Sequence, residues 1–231
     1  DGYGASKKLF QKLILKKPKL IIMVDCGSTS NEAIDYLNKH NVKSIIIDHH
    51  EINKPYPKSN VIINPKKESI NKENYLLCAT ALTYFFIEII IQKTKSDFNI
   101  YNFLIYVLLA TVCDVMPLRK INRIIAQNTI NNFNIKNYSA LNYIFKEYNL
   151  KKKLTIDDLG FLIGPIINAG GRLNHSNYGV ELLSSDNLET IKDRAKKLIN
   201  LNNKRKILEQ NILDEINFEK IKNENKNVII Y

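Results

Sequence analysis

Cysteine is scarce in this sequence, and its spacing excludes the sites that cysteine commonly builds. Cys26, Cys78 and Cys113 are the three cysteines, and no two of them form a C-x-x-C pair. An odd number without close pairs argues against a zinc knuckle and against a disulfide framework. A reducing compartment suits such a chain, so we expect the protein to be cytoplasmic.

Long apolar runs are also missing. No stretch reaches the roughly 18–20 apolar residues that span a bilayer, so we expect no membrane partner. The first residues, Asp1-Gly2-Tyr3-Gly4, match neither a signal peptide nor an initiator sequence. We expect them to be the cut end of a longer chain.

Arginine is rare although the chain is strongly basic. Five of the 34 basic residues are arginine, and the formal net charge is +11. A charge of this sign suggests an anionic partner such as nucleic acid. The abundance of lysine, asparagine and isoleucine is also what an AT-rich genome produces, so the charge alone leaves both explanations open.

The first third of the chain alternates strands and helices. Short, β-branched apolar runs predict strands at 20–24, 44–47 and 61–63, with a helix from about 31 to 40. Residues 29–32, Thr-Ser-Asn-Glu, have the spacing of a capping box, which favours a helix start there. This order of elements predicts an α/β fold with a parallel sheet.

From about residue 79 the apolar spacing becomes helical. The helices predicted there are 79–93, 101–115, 120–133, 138–149, 156–163, 178–184 and a long charged helix over 187–222. Residues 164–173 are expected to form a glycine-rich loop. Residues 227–231 are expected to open another strand.

Polar side chains follow two of the predicted strands. Asp25 comes directly after the first strand, and Asp48, His49 and His50 come after the next. Parallel strands end at one edge of a sheet about 5 Å apart, so these groups can converge on shared metal ions. Carboxylate and neutral imidazole suit Mn²⁺, with Mg²⁺ as the alternative. Asp25 also fits a simple turn or helix cap, since Asp-x-Gly favours turns.

A third carboxylate, Asp114, ends the almost wholly apolar stretch 101–115. An acid at the tip of a buried helix is costly unless it is paired or bound to metal, which favours a ligand role. The alternative is an ordinary surface terminus, although the helix dipole disfavours aspartate there. Cys26 and Cys113 flank two of the proposed ligands, and we expect them to be small buried neighbours rather than nucleophiles.

The predicted loop 164–173 is a candidate phosphate site. Free backbone N–H groups at Gly170 and Gly171 could cradle a phosphate, and Arg172 could clamp it. A plain tight turn would have the same composition. His175 could line the same cleft or stand exposed on the surface.

These segments together resemble the DHH phosphoesterase superfamily and, within it, the RecJ family of single-strand-specific 5′→3′ DNA exonucleases. The resemblance covers essentially the whole chain and rests on four ordered motifs: Val24-Asp25-Cys26-Gly27, Asp48-His49-His50, Ala110-Thr111-Val112-Cys113-Asp114-Val115-Met116-Pro117-Leu118 and Gly164-Pro165-Ile166-Ile167-Asn168-Ala169-Gly170-Gly171-Arg172-Leu173. The last two favour RecJ within the superfamily.

The resemblance implies a role for each candidate residue. Asp25 would bridge two divalent ions, Mn²⁺ or Mg²⁺, and His49 and Asp114 would ligate one of them. His50 would face the scissile phosphate, and Asp48 would orient a ligand from behind. The phosphates of the nucleic acid would be held by Asn168 and Arg172. The implied reaction is two-metal hydrolysis of a phosphodiester.

The sequence departs from this family in three places. The aspartate-rich motif Asp-x-Asp-x-Asp-Gly is absent from the 231 residues, and Ile166 stands where RecJ proteins usually carry arginine. The C-terminal DHHA1 domain is also absent after Tyr231. We therefore expect a DHH domain over 1–185, with an α/β part to about 78 and a helical part from 79. A connector helix would follow over 186–226, and 227–231 would start a truncated DHHA1 domain.

The expected parent protein is an exonuclease that degrades single-stranded DNA to mononucleotides in DNA repair and recombination. A helicase and a single-strand-binding protein are expected as possible assistants. The chain as given, with half a metal site, is expected to have little or no activity. Two alternatives stay open: another DHH phosphoesterase acting on oligonucleotides or cyclic dinucleotide products, and a non-catalytic RecJ-like subunit that binds single-stranded DNA.

Overall fold

The computed structural model describes residues 4–67, 76–173 and 175–215. By its internal contacts the chain divides into two compact units, Asp1–Phe133 and Asn134–Tyr231. Each unit is described by itself below. The domain boundary predicted at residue 185 stays a prediction.

Unit 1 is built on a three-stranded parallel sheet. Its strands are β1 (Leu20–Val24), β2 (Lys43–Ile47) and β3 (Val61–Ile63), in the order β1-β2-β3. The pairing brings Val24 beside Ile47 and Ile47 beside Ile63, so all three strands end at the same level. The predicted parallel sheet and α/β class are confirmed.

Helices cover both faces of this sheet, because alternate strand side chains point to opposite sides. On one face, Met23 and Ile46 pack with helices α1 (Lys7–Ile14) and α2 (Asn31–Lys39). On the other face, Ile47 packs among residues of the helices that follow β3. The central strand is therefore covered on both faces, which explains why β2 is a nearly continuous apolar run.

The helices of unit 1 after the sheet are α3 (Ala79–Thr94), α4 (Leu104–Cys113) and α5 (Lys120–Asn132), with a 3₁₀ turn at Ile100–Phe103. The helix predicted over 101–115 is thus shorter than expected. Its first residues form the 3₁₀ turn, and Asp114 is the C-cap residue of α4. Val115, at φ 54°, has left the helix.

The capping box predicted at residues 29–32 does not form. Ser30 is the N-cap of α2, and its side chain makes no capping hydrogen bond. Glu32, which would have completed the box, instead accepts a hydrogen bond from Nζ of Lys7 at 2.9 Å. In a capping box this carboxylate would accept a backbone N–H, but here it accepts the bond from Lys7 of α1.

Unit 2 is helical. Its elements are a 3₁₀ turn at Ile135–Asn137, α6 (Ser139–Glu147), a π-helical stretch at Asp158–Ile163, α7 (Gly164–Arg172), α8 (Asn177–Ser184) and α9 (Leu188–Glu215). Apolar side chains of α6 to α9 share one core, which contains Ile144, Ile166, Leu182 and Leu198. The long helix α9 buries one stripe of its surface in this core.

The loop predicted over 164–173 is wrong, because Gly164–Arg172 is a helix. Pro165 is the second residue of α7 and comes directly after the π-helical stretch Asp158–Ile163. Gly170 is buried, and a Cβ there would lie 2.6 Å from the carbonyl oxygen of His175. The glycine is needed for close packing, and not for a turn.

The predictions for the end of the chain fall partly outside the described residues. Helix α9 supports the predicted helix 187–222 as far as Glu215, and the predicted strand 227–231 lies beyond the described part. Among the residues that are described, no helix combines the length and hydropathy needed to cross a bilayer.

Candidate metal centre

Each strand of the sheet is followed by a polar residue at the same edge. The N–H of Asp25 donates to the carbonyl of Ile47 at 2.9 Å, and the N–H of Asp48 donates to the carbonyl of Ile63 at 3.0 Å. The ladder therefore continues one residue past β1 and β2. It places the backbones of Asp25 and the 48–50 segment side by side, as the strand ends predicted.

Three side chains converge at this edge. Ligand atoms of Asp25, His49 and His50 all lie within 4.8 Å of one another. Nε2 of His49 is 3.3 Å from Oδ1 of Asp25, and Nδ1 of His50 is 3.9 Å from the same oxygen. A mixed set of one carboxylate and two imidazoles at this spacing fits a divalent cation such as Mn²⁺.

Asp114 reaches the same place from the end of α4. Its Oδ2 lies 3.7 Å from Nε2 of His49. The side chain of His49 is thus flanked by two carboxylates, those of Asp25 and Asp114, and is only 14% exposed. The predicted alternative, an ordinary surface terminus for Asp114, does not account for this convergence.

The electrostatics of the cluster are those of a site with surplus negative charge. The hydrogen bond to Asp25 raises the pKa of His49, against the effect of burial, and the charge of Asp114 adds to the rise. Burial raises the pKa of Asp114, and the charge of Asp25 raises it further. A bound cation would relieve the repulsion between the two carboxylates, so the residues present fit a metal ion.

Asp48 has a different environment from the other acids, because it is buried and saturated with donors. Its Oδ1 accepts the backbone N–H groups of His49 (2.8 Å) and His50 (3.2 Å) and Nδ1–H of His50 (2.7 Å). Its Oδ2 accepts the backbone N–H of Ser28 at 3.0 Å. Burial alone would raise the pKa of Asp48, but the bonds from Ser28 and His50 outweigh it and hold the pKa at about 2. Asp48 is therefore a fixed anion that positions His50.

The bond to Asp48 also sets the tautomer of His50. A carboxylate can only accept, so Nδ1 of His50 carries a proton, and in the neutral ring Nε2 is the nitrogen with the lone pair. The predicted role of Asp48, to orient a ligand from behind, stays a prediction. Of the two histidines, only His50 bonds Asp48 through its ring, and the link to the proposed ligand His49 is through the backbone.

Two buried residues of this network, Ser28 and Asn64, were not predicted as site residues. Nδ2 of Asn64 donates to Oγ of Ser28 at 2.7 Å and to the carbonyl of His50 at 3.0 Å. Asn64 follows β3 just as Asp25 follows β1 and Asp48 follows β2. The position of Asn64 at a strand end is the sequence signal for it, although an uncharged amide indicates a metal site less strongly than a carboxylate or an imidazole does.

The backbone around the cluster adopts left-handed conformations. Asp25 has φ 62° and Gly27 has φ 113°, and Val115, directly after Asp114, has φ 54°. The value at Gly27 is one that side chains rarely adopt, and a Cβ there would also crowd Ile46 at 3.2 Å. Unfavourable backbone held in place beside converging polar groups is common at functional sites.

The two cysteines beside the proposed ligands differ from each other in burial. Cys26 is half-buried, and burial raises the pKa of its thiol, as expected for a packed neighbour. Cys113 is exposed, so the prediction of a small buried side chain is wrong there. Cys113 is the last residue of α4, directly before the C-cap residue Asp114.

The residues of the predicted phosphate site lie in unit 2. Most of them belong to helix α7 and not to the loop that was predicted. Asn168 and Arg172 are exposed on α7, Gly170 is buried, and Gly171 is half-buried. His175 is exposed, which is one of the two placements considered for it. Since α7 is helical, most of its N–H groups are used within the helix, and a cradle of free N–H groups at the glycines does not exist.

Comparison with known proteins identifies the class to which this architecture belongs. Residues 4–111 match the DHH family, N-terminal domain. That segment contains the whole sheet, Asp25 and the 48–50 cluster. The parallel sheet with its polar carboxyl edge thus lies within the segment that matches the DHH family.

The similarity extends beyond that domain to one kind of protein. The single-stranded-DNA-specific exonuclease RecJ of Escherichia coli (strain K12) is 30% identical over 223 residues, which are 91% of this chain and 38% of that protein. The crystal structure of RecJ in complex with Mn²⁺ from Thermus thermophilus has a TM-score of 0.81 at 21% identity, over 91% of this chain and 31% of that one. The crystal structure of exonuclease RecJ bound to manganese has a TM-score of 0.82 at 22% identity, over 94% of this chain and 54% of that one.

The chain is therefore RecJ-like, and its residues 4–111 match the DHH family, N-terminal domain. It spans 38% of the length of the E. coli relative and of the Haemophilus influenzae relative, which is 28% identical. The structural likeness confirms the fold.

Proposed function

We propose that this chain carries the metal centre of an exonuclease that hydrolyses single-stranded DNA from the 5′ end. The observation that supports the proposal most strongly is the convergence of Asp25, His49, His50 and Asp114 at one edge of the sheet. Exonuclease activity on single-stranded DNA is the activity named for the relatives. The net charge of +11 suits a polyanionic substrate.

The proposed division of labour follows the environments of the side chains. Asp25, His49 and Asp114 would hold a divalent cation, Mn²⁺ or Mg²⁺, because their ligand atoms point at one another and share surplus negative charge. When bound, such ions supply a nucleophilic water and offset charge on the phosphoryl group. Asp48 stays ionised and fixes the ring of His50, whose Nε2 is left to accept a proton or to face the phosphate.

The second ion and the completeness of the site belong to the same proposal. Two-ion hydrolysis needs more ligands than these four residues provide, and the Asp-x-Asp-x-Asp-Gly motif is absent from the 231 residues. We expect these residues alone to bind metal with little or no turnover. Asn168 and Arg172 are proposed to contact DNA phosphates in unit 2, since both are exposed on α7. Roles in DNA repair and recombination, a cytoplasmic location and assistance from a helicase or a single-strand-binding protein are part of the proposal.

The experiment tests metal binding and chemistry separately. Free Mn²⁺ has an electron-paramagnetic-resonance signal that falls when the ion binds, and we expect the chain to reduce it. His49→Ala and Asp114→Ala should each weaken Mn²⁺ binding by at least about tenfold, because each removes a ligand and leaves the remaining carboxylate less well oriented. His40→Ala, an exposed histidine at the end of α2, is the matched control.

For the chemistry, the full-length protein receives Mn²⁺ and a 5′-labelled single strand. Release of mononucleotides that is abolished in His49→Ala is the expected result. If a dinucleotide is hydrolysed while a long single strand is not, the protein is another DHH phosphoesterase. Tight single-strand binding with no release under any metal would instead identify a non-catalytic binding subunit.

A further inference from the structure

The surface of unit 2 carries a stack of aromatic and cationic side chains that the metal centre does not use. The rings of His175 and Tyr178 lie almost parallel, 12° apart, with centroids separated by 4.8 Å. The guanidinium carbon of Arg194 lies over the ring of Tyr178 at 4.6 Å, and Nζ of Lys197 lies at 5.7 Å. Both cations are within the range of a cation–π contact.

The backbone fixes the position of this stack. The N–H of His175 donates to the carbonyl of Gly170 at 2.7 Å, and the N–H of Tyr178 donates to the carbonyl of His175 at 3.1 Å. Any side chain at residue 170 would collide with the carbonyl of His175 at 2.6 Å. The close approach that glycine permits therefore holds the histidine in place above Tyr178.

The cations of the stack already have anionic partners. Arg194 pairs with Glu181 and with Asp193, the latter at 2.7 Å, and Lys197 pairs with the same Asp193 at 2.9 Å. Their charges are largely offset, so the stack is poorly suited to clamp a phosphate. His175 is exposed, and its ring is held nearly parallel to that of Tyr178, so one face of the imidazole lies on the tyrosine.

We propose that His175, supported by Tyr178 and Arg194, is a stacking platform for one base of single-stranded nucleic acid. Flat π-surfaces bind bases of any sequence, because every base has a flat π-face of its own. The proposal rests on the proposed function for the kind of ligand. It differs from phosphate binding at Arg172, because it requires the base and not the backbone of the strand.

The test compares two strands that differ only in their bases. A labelled thymidine oligonucleotide and an abasic oligonucleotide of equal length are titrated with the chain in EDTA, so that no metal and no cleavage are involved. His175→Ala should weaken binding of the thymidine strand by about tenfold and change binding of the abasic strand by less than about twofold. His175→Phe should restore binding of the thymidine strand, because it restores the flat surface.

His40→Ala is again the matched control, since His40 also contacts a tyrosine, Tyr36, but with the rings tilted by 43°. It should bind both strands as the wild type does. Equal weakening of both strands in His175→Ala, no weakening of either, or no binding of the thymidine strand by the wild type would each overturn the platform.

The absence of tryptophan from the chain provides a second readout. In His175→Trp the single indole should be quenched by the thymidine strand and not by the abasic strand, and equal response to both contradicts stacking. Failure of the proposed function would look different, with base-dependent binding by the chain retained and no Mn²⁺-dependent release of mononucleotides by the full-length protein.

Discussion

Replacement of Asp48 by asparagine should destabilise unit 1, although the two side chains have almost the same shape. The carboxylate accepts four N–H groups in a buried position, from Ser28, His49 and twice from His50. Asparagine has one accepting oxygen and one donating nitrogen. If its oxygen takes the place of Oδ1, its NH₂ group must face the N–H of Ser28, and two donors then oppose each other.

The size of the effect follows from two separate considerations. A buried donor left without an acceptor costs about 1–3 kcal/mol, and the three remaining bonds also lose the charge that strengthens them. A pKa of about 2 in place of 3.8 corresponds to about 2 kcal/mol of stabilisation of the folded state by the ionised carboxylate. Asp48→Asn should therefore lower the free energy of unfolding by about 2–4 kcal/mol at neutral pH.

The destabilisation caused by Asp48→Asn should depend on pH. Because folding lowers the pKa of Asp48, its contribution is complete above about pH 4 and is lost as the pH falls towards about 2. Roughly half of it should remain at about pH 3. The difference in the free energy of unfolding between wild type and Asp48→Asn should therefore become smaller as the pH is lowered.

The assay is urea unfolding in EDTA at pH 7 and pH 3, followed by far-ultraviolet circular dichroism, since the chain has no tryptophan. Amide hydrogen exchange of residues 43–50 reports unit 1 separately from unit 2. Identical urea midpoints for wild type and Asp48→Asn at pH 7 would refute the reasoning. So would a difference in stability at pH 3 as large as that at pH 7.

Two further predictions concern residues that stabilise unit 1 and unit 2. Gly27→Ala should cost more than about 1 kcal/mol, because φ is 113° there and the new Cβ would crowd Ile46 at 3.2 Å; an unchanged urea midpoint would contradict this. Asp158→Asn should destabilise unit 2 by about 1–3 kcal/mol at pH 7, because the buried carboxylate accepts Thr155 N–H at 2.9 Å and pairs with Lys152 at 2.8 Å. These contacts lower the pKa of Asp158 against the effect of burial, so the loss should shrink as the pH falls below about 4, and faster amide exchange in α7 at neutral pH is the measurement.

The strands and most helices could be predicted because apolar spacing alone determines which face is buried. The 20–24 and 61–63 strands agree with the structure residue for residue, and the 44–47 strand begins one residue earlier. The error at 164–173 has a physical cause. Glycine and proline are compatible with a turn, but proline also suits the first turn of a helix, and Gly170 is required where α7 meets the backbone of His175.

The candidate ligands could be predicted because a parallel sheet collects its strand ends at one edge. Asp25 and the 48–50 segment needed only that rule, and Asp114 needed the cost of an acid at a buried helix end. The hydrogen bonds that join Asn64 to Ser28 and to His50 could not be predicted in this way. They depend on side chains 36 and 14 positions apart, and a motif contains no information on such pairs.

The three acids near the candidate metal centre differ in how many hydrogen bonds their oxygens already accept. Both oxygens of Asp48 are occupied by N–H donors, so it cannot also bind a cation without losing several hydrogen bonds. Asp25 and Asp114 are 55% and 36% exposed, and both point at His49. The acid that follows the central strand therefore holds the histidine segment in shape, and the acids that follow β1 and α4 remain available as ligands. This difference in burial explains why one motif contains both a positioning aspartate and a candidate metal-binding histidine in consecutive positions.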